Sequence, residues 1–359
     1  MTVEIPLRNI LIYGEPYEWA MAYNVQEVCR ELGYRATIFD FTKWLYRTRR
    51  ATLANRIRDR LFVSSVARKI NSDLVNVLAN ERFDVLLVMK GVHLFPETIT
   101  AAKTQIAHVV NWNPDDFFNP LNSSRSLLAS FPLYDCIFTP RRHLIGEYLD
   151  RGAKRVEPLD WYYLPRPHSP VTVSDEEKNR FGSDVVFIGT WSPRREALLG
   201  ALAGFDVRIW GAYWERASAT FRKEIDCRPS VFGEDMCKVI RSSKININIL
   251  TAENRDTTNV RNFEIPSCSG FQLCERSAEV MRLFEEGEEI AFFSGAADMV
   301  TQCQRYLDND EERERVTRQG YERLIDGHHT MKDRVVSLLS ALYDDTTLAD
   351  AQVERRSRA

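Results

Sequence analysis

Residues 184–196 read DVVFIGTWSPRRE. An apolar run ends in Gly189, a short polar loop opens at Thr190, and Pro193 stands where a helix can begin. Proline is favoured at a first helical position, and the free N–H groups of such a turn attract an anion. Arg194 and Arg195 add positive charge beside it. The same residues also describe a plain strand-to-helix turn with arginines facing solvent. The unit recurs, and that recurrence sets the architecture. After it, DVRIWG (206–211), KININIL (244–250), FQLCE (271–275) and EEIAFF (288–293) read as strands. Before it, NILIY (9–13), RATIFD (35–40), DVLLVMK (84–90), HVVNW (108–112), DCIFTP (135–140) and KRVEPL (154–159) do the same. Helical patterns such as AMAYNVQEVCREL (20–32) lie between them, and three more near 295–306, 309–326 and 329–343 close the chain. Strands alternating with helices argue for βαβ units and parallel sheets.

At 359 residues the chain is too long for one ordinary core and suits two domains. The stretch 159–182, with Pro165, Pro167 and Pro170 among charged residues, reads as the crossing between them. The fold class is therefore α/β, with two Rossmann-like domains facing across a cleft. Ligands of open α/β sheets sit beyond the carboxyl ends of the strands, so this plan suggests a two-substrate reaction. A net charge of −3 gives no general affinity for polyanions and argues against nucleic acid. No apolar run approaches the ~18 residues of a membrane span. The start, MTVEIPLRNILIYG, lacks the marks of a signal peptide, so a cytoplasmic protein is expected. Seven scattered cysteines without a C-x-x-C pair read as reduced structural thiols and not as a zinc site.

The second stretch that carries chemistry is DTTNVRNFEIPSCSGFQLCE (256–275). Asp256 lies in the loop leaving a strand, and Asn259 is a candidate helix cap. Arg261 and Glu264, three apart, fall on one helical face. A carboxylate there can accept from a ribose diol, and the arginine can pair with a diphosphate or with that carboxylate. Ser267, Ser269 and Gly270 would let the backbone approach a ligand closely. A weak surface ion pair between Arg261 and Glu264 is the plainer alternative.

Asp256-x7-Glu264 is similar to the E-x7-E motif of GT-B glycosyltransferases, with aspartate in the first place. RNFEIPSCSGFQLCE (261–275) resembles the R-x-F-E-x-x-x-C-G-x-x-L-L segment of the CgeB-like, group 1-type glycosyltransferases. VMRLFEEGEEIAFFSGAADM (280–299), HHTMKDRVVSLL (328–339) and VVFIGTWSPRRE (185–196) resemble further segments of that family, in order. The first half matches loosely, through its alternation and residues 137–165. The resemblance implies a metal-independent glycosyltransferase moving a sugar from a nucleotide-diphosphate donor to a hydroxyl acceptor, such as a cell-envelope glycan or glycolipid. It implies an acceptor-side domain over 1–165, a linker over 166–182 and a donor domain over 183–327. A closing helix at 328–345 would pack back on the first domain, before a tail at 346–359. Glu264 would hold the ribose and Asp256 the sugar, while Arg261 with Arg194 or Arg195 would stabilise the departing diphosphate. Gly189, Thr190, Trp210, Gly211 and Gly270 would complete the donor side, with Trp210 more readily read as core. A nucleotide-sugar epimerase and a non-catalytic nucleotide-sugar-binding protein share these features.

On the acceptor side, Gly14, Glu15, Tyr17 and Trp19 leave one strand end, where the rings could stack on a sugar. Asp115 and Asp116 leave another; either could take a proton from the acceptor, or simply cap a turn. These residues suit a carbohydrate, a lipid-linked acceptor or a small molecule alike. Residues 41–70 carry nine basic side chains against Asp59, with aromatic and aliphatic residues at helical spacing. Such a helix can lie on an anionic bilayer at the inner face of the membrane, grip a nucleic acid, or be a solvated helix at a subunit contact.

Overall fold

The computed structural model describes residues 8–342 without 50–52, 121, 253, 254 and 256, and the backbone alone within 46–64. Two compact units emerge: one takes the chain up to Asp160 and again from Met331, the other is Trp161–Thr330.

The first unit is built on β1 (Asn9–Gly14), β2 (Arg35–Asp40), β3 (Val85–Met89), β4 (His108–Trp112), β5 (Ile137–Thr139) and β6 (Val156–Pro158). They form one parallel sheet in the order β2-β1-β3-β4-β5-β6. Every residue of β3 and β4 is buried, which explains why VLLVM in β3 reads as an apolar run without alternation, while β4 buries the polar His108 and Asn111 as well. Leu11, Tyr13, Leu86, Val88, Val109 and Ile137 pack on one face with Ile70, Leu74 and Leu78 of the long Leu53–Asn80 helix. On the other face, residues 331–342 form a helix whose Val335, Leu338 and Leu339 line a small apolar cavity with Ile10, Val25, Cys29, Val85 and Leu87.

The second unit carries β7 (Val185–Ile188), β8 (Val207–Trp210), β9 (Asp226–Arg228), β10 (Ile245–Asn248), β11 (Gln272–Glu275) and β12 (Ala291–Phe293). The order is β12-β11-β10-β7-β8-β9, again parallel throughout. Strand β9 escapes the sequence reading because RKEIDCRPS has no apolar run. The prolines at 165–170 are followed by a helix, Asp175–Phe181, opened by a capping box between Ser174 and Glu177. Its Phe181 packs with Val186, Ile188, Trp210, Met236 and Ile265, so this part of the expected linker belongs to the second unit's core.

The seven cysteines are all free and six are buried. Burial pushes the thiols of Cys29, Cys274 and Cys303 up to about 12, so each stays protonated and inert at neutral pH.

Candidate donor site at the carboxyl edge of the second sheet

Chain order reverses between β7 and β10: the chain runs outward from β7 to β8 on one side and from β10 to β11 on the other. Such a switch point leaves a crevice at the carboxyl ends of the two middle strands. Here three arginines converge on it. Arg195 bridges the two strand ends, donating to Thr190 O and Oγ1 at 3.0 and 3.2 Å and to Ile249 O and Thr251 Oγ1 at 3.3 and 3.1 Å. Arg194 donates to Leu250 O at 3.3 Å and is paired with Glu275 at the end of β11. Arg261 donates to Ile188 O at 3.3 Å and to Met236 Sδ at 3.0 Å, and is paired with Glu264. These guanidiniums lie beside the Pro193–Gly200 helix, which has Glu196 in its first turn and whose cap Ser192 accepts from Arg195 N.

The helix Arg261–Ser267 is placed by an amide network. Asn259 and Asn262 exchange reciprocal bonds, each side-chain oxygen accepting the other's backbone N–H, at 3.3 and 2.9 Å. Asn259 and Asn248 of β10 exchange side-chain amide bonds at 3.0 and 2.9 Å. Asn262 also donates to Cys274 Sγ on β11. Asn259 thus does the satisfying expected of a cap, one residue further out than a standard N-cap. KININIL is a buried strand, as its sequence suggests, and its asparagines are buried with it: Asn246 and Asn248 are both buried, and Asn248 holds this helix.

Glu264 is 10% exposed at its side chain, and it meets a residue the sequence reading missed. His168, buried, places Nε2 3.6 Å from Glu264 Oε1, while its Nδ1 accepts from Leu164 N at 3.3 Å. Burial pulls the His168 pKa below 6.5 against the Glu264 carboxylate, which favours the charged form, and with Arg261, which opposes it. Burial and the same carboxylate raise the Tyr162 phenol. No motif in a proline-rich crossing marks a histidine as part of a site; only folding back brings it to Glu264.

Among the other flagged residues, the expectation for Gly270 is corrected. Gly270 lies before β11, at the amino edge of the sheet, because the Arg261–Ser267 helix runs back across the sheet first. A Cβ there would come 2.3 Å from Ile240 Cγ2, so the glycine serves packing, and Ser267 is fully buried with its hydroxyl on Glu264 O. Gly211 is required by a close strand approach: a Cβ would sit 1.9 Å from Gly189 O. Gly189 is likewise committed, its N–H to Trp210 O and its carbonyl to Trp214 Nε1. Trp210 is core, 5.8 Å from the Phe181 ring. Asp256 lies outside the described residues.

In the first unit, Gly14 is set by helix packing, since a Cβ would meet Ala22 Cβ at 2.3 Å. Asp116 is fully buried and its Oδ1 accepts from Phe118 N and Asn119 N, so it holds a turn. Asp115 is paired with Lys90 at 2.7 Å. Glu15 is exposed. Tyr17 stacks on Trp19 with ring centroids 5.2 Å apart, and shares a hydrogen bond with Thr42 Oγ1; Trp19 is 67% exposed. Within the basic stretch, Trp44 donates to Asp73 Oδ2 and lies under Lys69, 4.2 Å from its ring centroid, while packing on the core. The arginines from 47 to 60 lie outside the described side chains. No helix among the described residues is long and apolar enough to cross a membrane.

Residues 194–340 match the family model described as glycosyl transferase-like. No curated protein matches the sequence. Among solved structures, the chain is similar to a trehalose-6-phosphate synthase, with TM-score 0.65 at 11% identity over 94% of this chain and 99% of that one. It is similar to Anabaena HepE in complex with UDP-glucose, with TM-score 0.63 at 9% identity over 93% and 100%. A putative UDP-N-acetylglucosamine 2-epimerase from Listeria monocytogenes gives TM-score 0.57 at 11% identity over 95% and 97%. At such identities these likenesses establish the fold, two parallel sheets in the GT-B arrangement, while the family match names the domain. The chain therefore stands with the GT-B glycosyltransferases in fold and carries a glycosyl transferase-like domain at residues 194–340.

Proposed function

We propose that the protein transfers a sugar from a nucleotide-diphosphate donor to a hydroxyl acceptor, the second unit holding the donor and the first the acceptor. The observation that carries this reading is the convergence of Arg194, Arg195 and Arg261 with Glu264 at the β7–β10 switch point. When the anomeric C–O bond breaks, its electron pair passes to a β-phosphate oxygen. Fixed cations at that oxygen lower the barrier because they need no reorganisation as the charge develops. Arg261 and Arg194 or Arg195 take that role, without a metal. Glu264 accepts from the ribose hydroxyls, and Asp256 binds the sugar. The acceptor oxygen forms the new bond, its proton passing to Asp115 once Lys90 yields, or to the departing phosphate.

Tyr17 and Trp19 suit a sugar acceptor that presents a ring face, and a cell-envelope glycan or glycolipid fits that chemistry. Residues 41–70 would hold such an enzyme to the inner face of a membrane. Calorimetric titration with UDP, GDP, CDP, ADP and dTDP tests the donor half. One diphosphate is expected to bind wild type, and Glu264→Ala to lose that binding; if none binds, the reading falls. Product analysis with the matching sugar nucleotides separates transfer from epimerisation, which would release an isomeric sugar nucleotide with no acceptor present.

A further inference from the structure

Glu264 is a buried carboxylate, and a buried carboxylate is tolerated only when charges and dipoles compensate it. Its two oxygens face different partners: Oε2 meets Arg261, and Oε1 faces His168 Nε2 at 3.6 Å, longer than a hydrogen bond but well within charge–dipole range. The imidazole is itself held. Leu164 N–H points at Nδ1, so that nitrogen is the acceptor and the proton belongs on Nε2, aimed at the carboxylate. His168 N also donates to Leu164 O at 2.8 Å, closing the turn from both sides. One residue on, Ser169 O accepts from Cys237 Sγ at 2.8 Å, and Val171 packs with Met236, Cys237 and Ile240. The segment is therefore fastened to the Gly233–Ser242 helix independently of Glu264.

We propose that His168 is a positioning residue for nucleotide binding, fixing the Glu264 carboxylate through Oε1 so that its remaining lone pairs meet a diol. The inference rests on the donor reading of Glu264 given above. A neutral imidazole fits this role because it orients the carboxylate without cancelling its charge, whereas a second cation beside Arg261 would weaken it as an acceptor. Two contacts from separate directions also select one rotamer, which a single ion pair with Arg261 on the same helix does not.

A double-mutant cycle tests this, read as affinity for whichever of UDP, GDP, CDP, ADP and dTDP binds wild type. His168→Phe keeps the ring and removes the donor, and is expected to weaken binding about tenfold. His168→Gln, which can present an amide N–H near the Nε2 position, is expected to restore affinity to within about threefold. In a Glu264→Ala background, titrated to millimolar diphosphate so that the residual affinity is read, His168→Phe should cost nothing further, because the group it positions is gone. Melting temperatures of all these variants report folding separately. Additive losses, or an unchanged affinity in His168→Phe, overturn the positioning role while leaving the donor reading intact. A wild type that binds none of the five diphosphates overturns both.

Discussion

Arg195 illustrates how one side chain can depend on a geometry only arginine supplies. Its two Nη atoms reach carbonyls on two strands, Thr190 O after β7 and Ile249 O after β10. A lysine carries the charge but no fork. Arg195→Lys is therefore expected to lower kcat about a hundredfold with a smaller change in donor KM, read by steady-state kinetics once a donor is known. His168 sets a second expectation. Its folded pKa lies below 6.5, with Glu264 and Arg261 acting on it and Tyr162 also beside the carboxylate. The unfolded chain therefore takes up that proton first as pH falls. The contribution of the neutral buried ring is complete above 6.5 and is lost as pH drops from there toward the folded value. Urea unfolding at pH 7.5 and pH 5.5 should show a smaller pH penalty in His168→Gln than in wild type. An equal penalty would place the proton uptake elsewhere.

Among the elements, the Arg261–Ser267 helix is seven residues long with Pro266 inside it, too short to hold itself together. The Asn248–Asn259–Asn262 network holds it instead. Asn262→Leu keeps the approximate size but leaves Asn259 N–H without its acceptor, with an expected loss of about 1–3 kcal/mol by urea denaturation. Donor affinity should fall with it, since Arg261 and Glu264 ride on the same turn. Gly211→Ala probes the neighbouring edge: a methyl 1.9 Å from Gly189 O forces β7 and β8 apart where the Thr190 loop begins. The variant is expected to unfold at lower urea, and a wild-type midpoint would show that the strand ends can separate freely. These elements differ in legibility. Strands such as VLLVM in β3 announce themselves because burial on both faces demands apolar side chains throughout. β9 does not, since an edge strand of three residues needs little apolar surface, and DCR supplies only Cys227 between two charged residues.

Across the molecule as a whole, the chain leaves the first unit at Asp160 and returns to it at Met331. Met331, Val335, Leu338, Leu339 and Leu342 are all buried in the returning helix. Arg155 donates to Ala341 O at 3.2 Å, and Arg334 donates to Asp160 O at 2.9 Å. Ending the chain at Thr330 would uncover Ile10, Val25, Val85 and Leu87 and is expected to make the first unit bind a hydrophobic dye and yield early to protease. The second unit, whose core clusters do not draw on that helix, should keep its protection. The alternation of apolar runs and helical periods was enough to specify two parallel α/β sheets, because local burial patterns are written residue by residue along the chain. The same reading placed Arg194 and Arg195 just past a strand end, on the first turn of the helix after β7, and Arg261 and Glu264 on the helix that follows the longer loop after β10. Which residues meet was settled by packing alone. Gly270 was carried to the far edge by the helix before it, Asp116 was spent on a turn, and His168 was brought beside Glu264 from a distant part of the chain. Those outcomes depend on how separate elements pack, and packing partners distant in sequence leave no period or spacing to read.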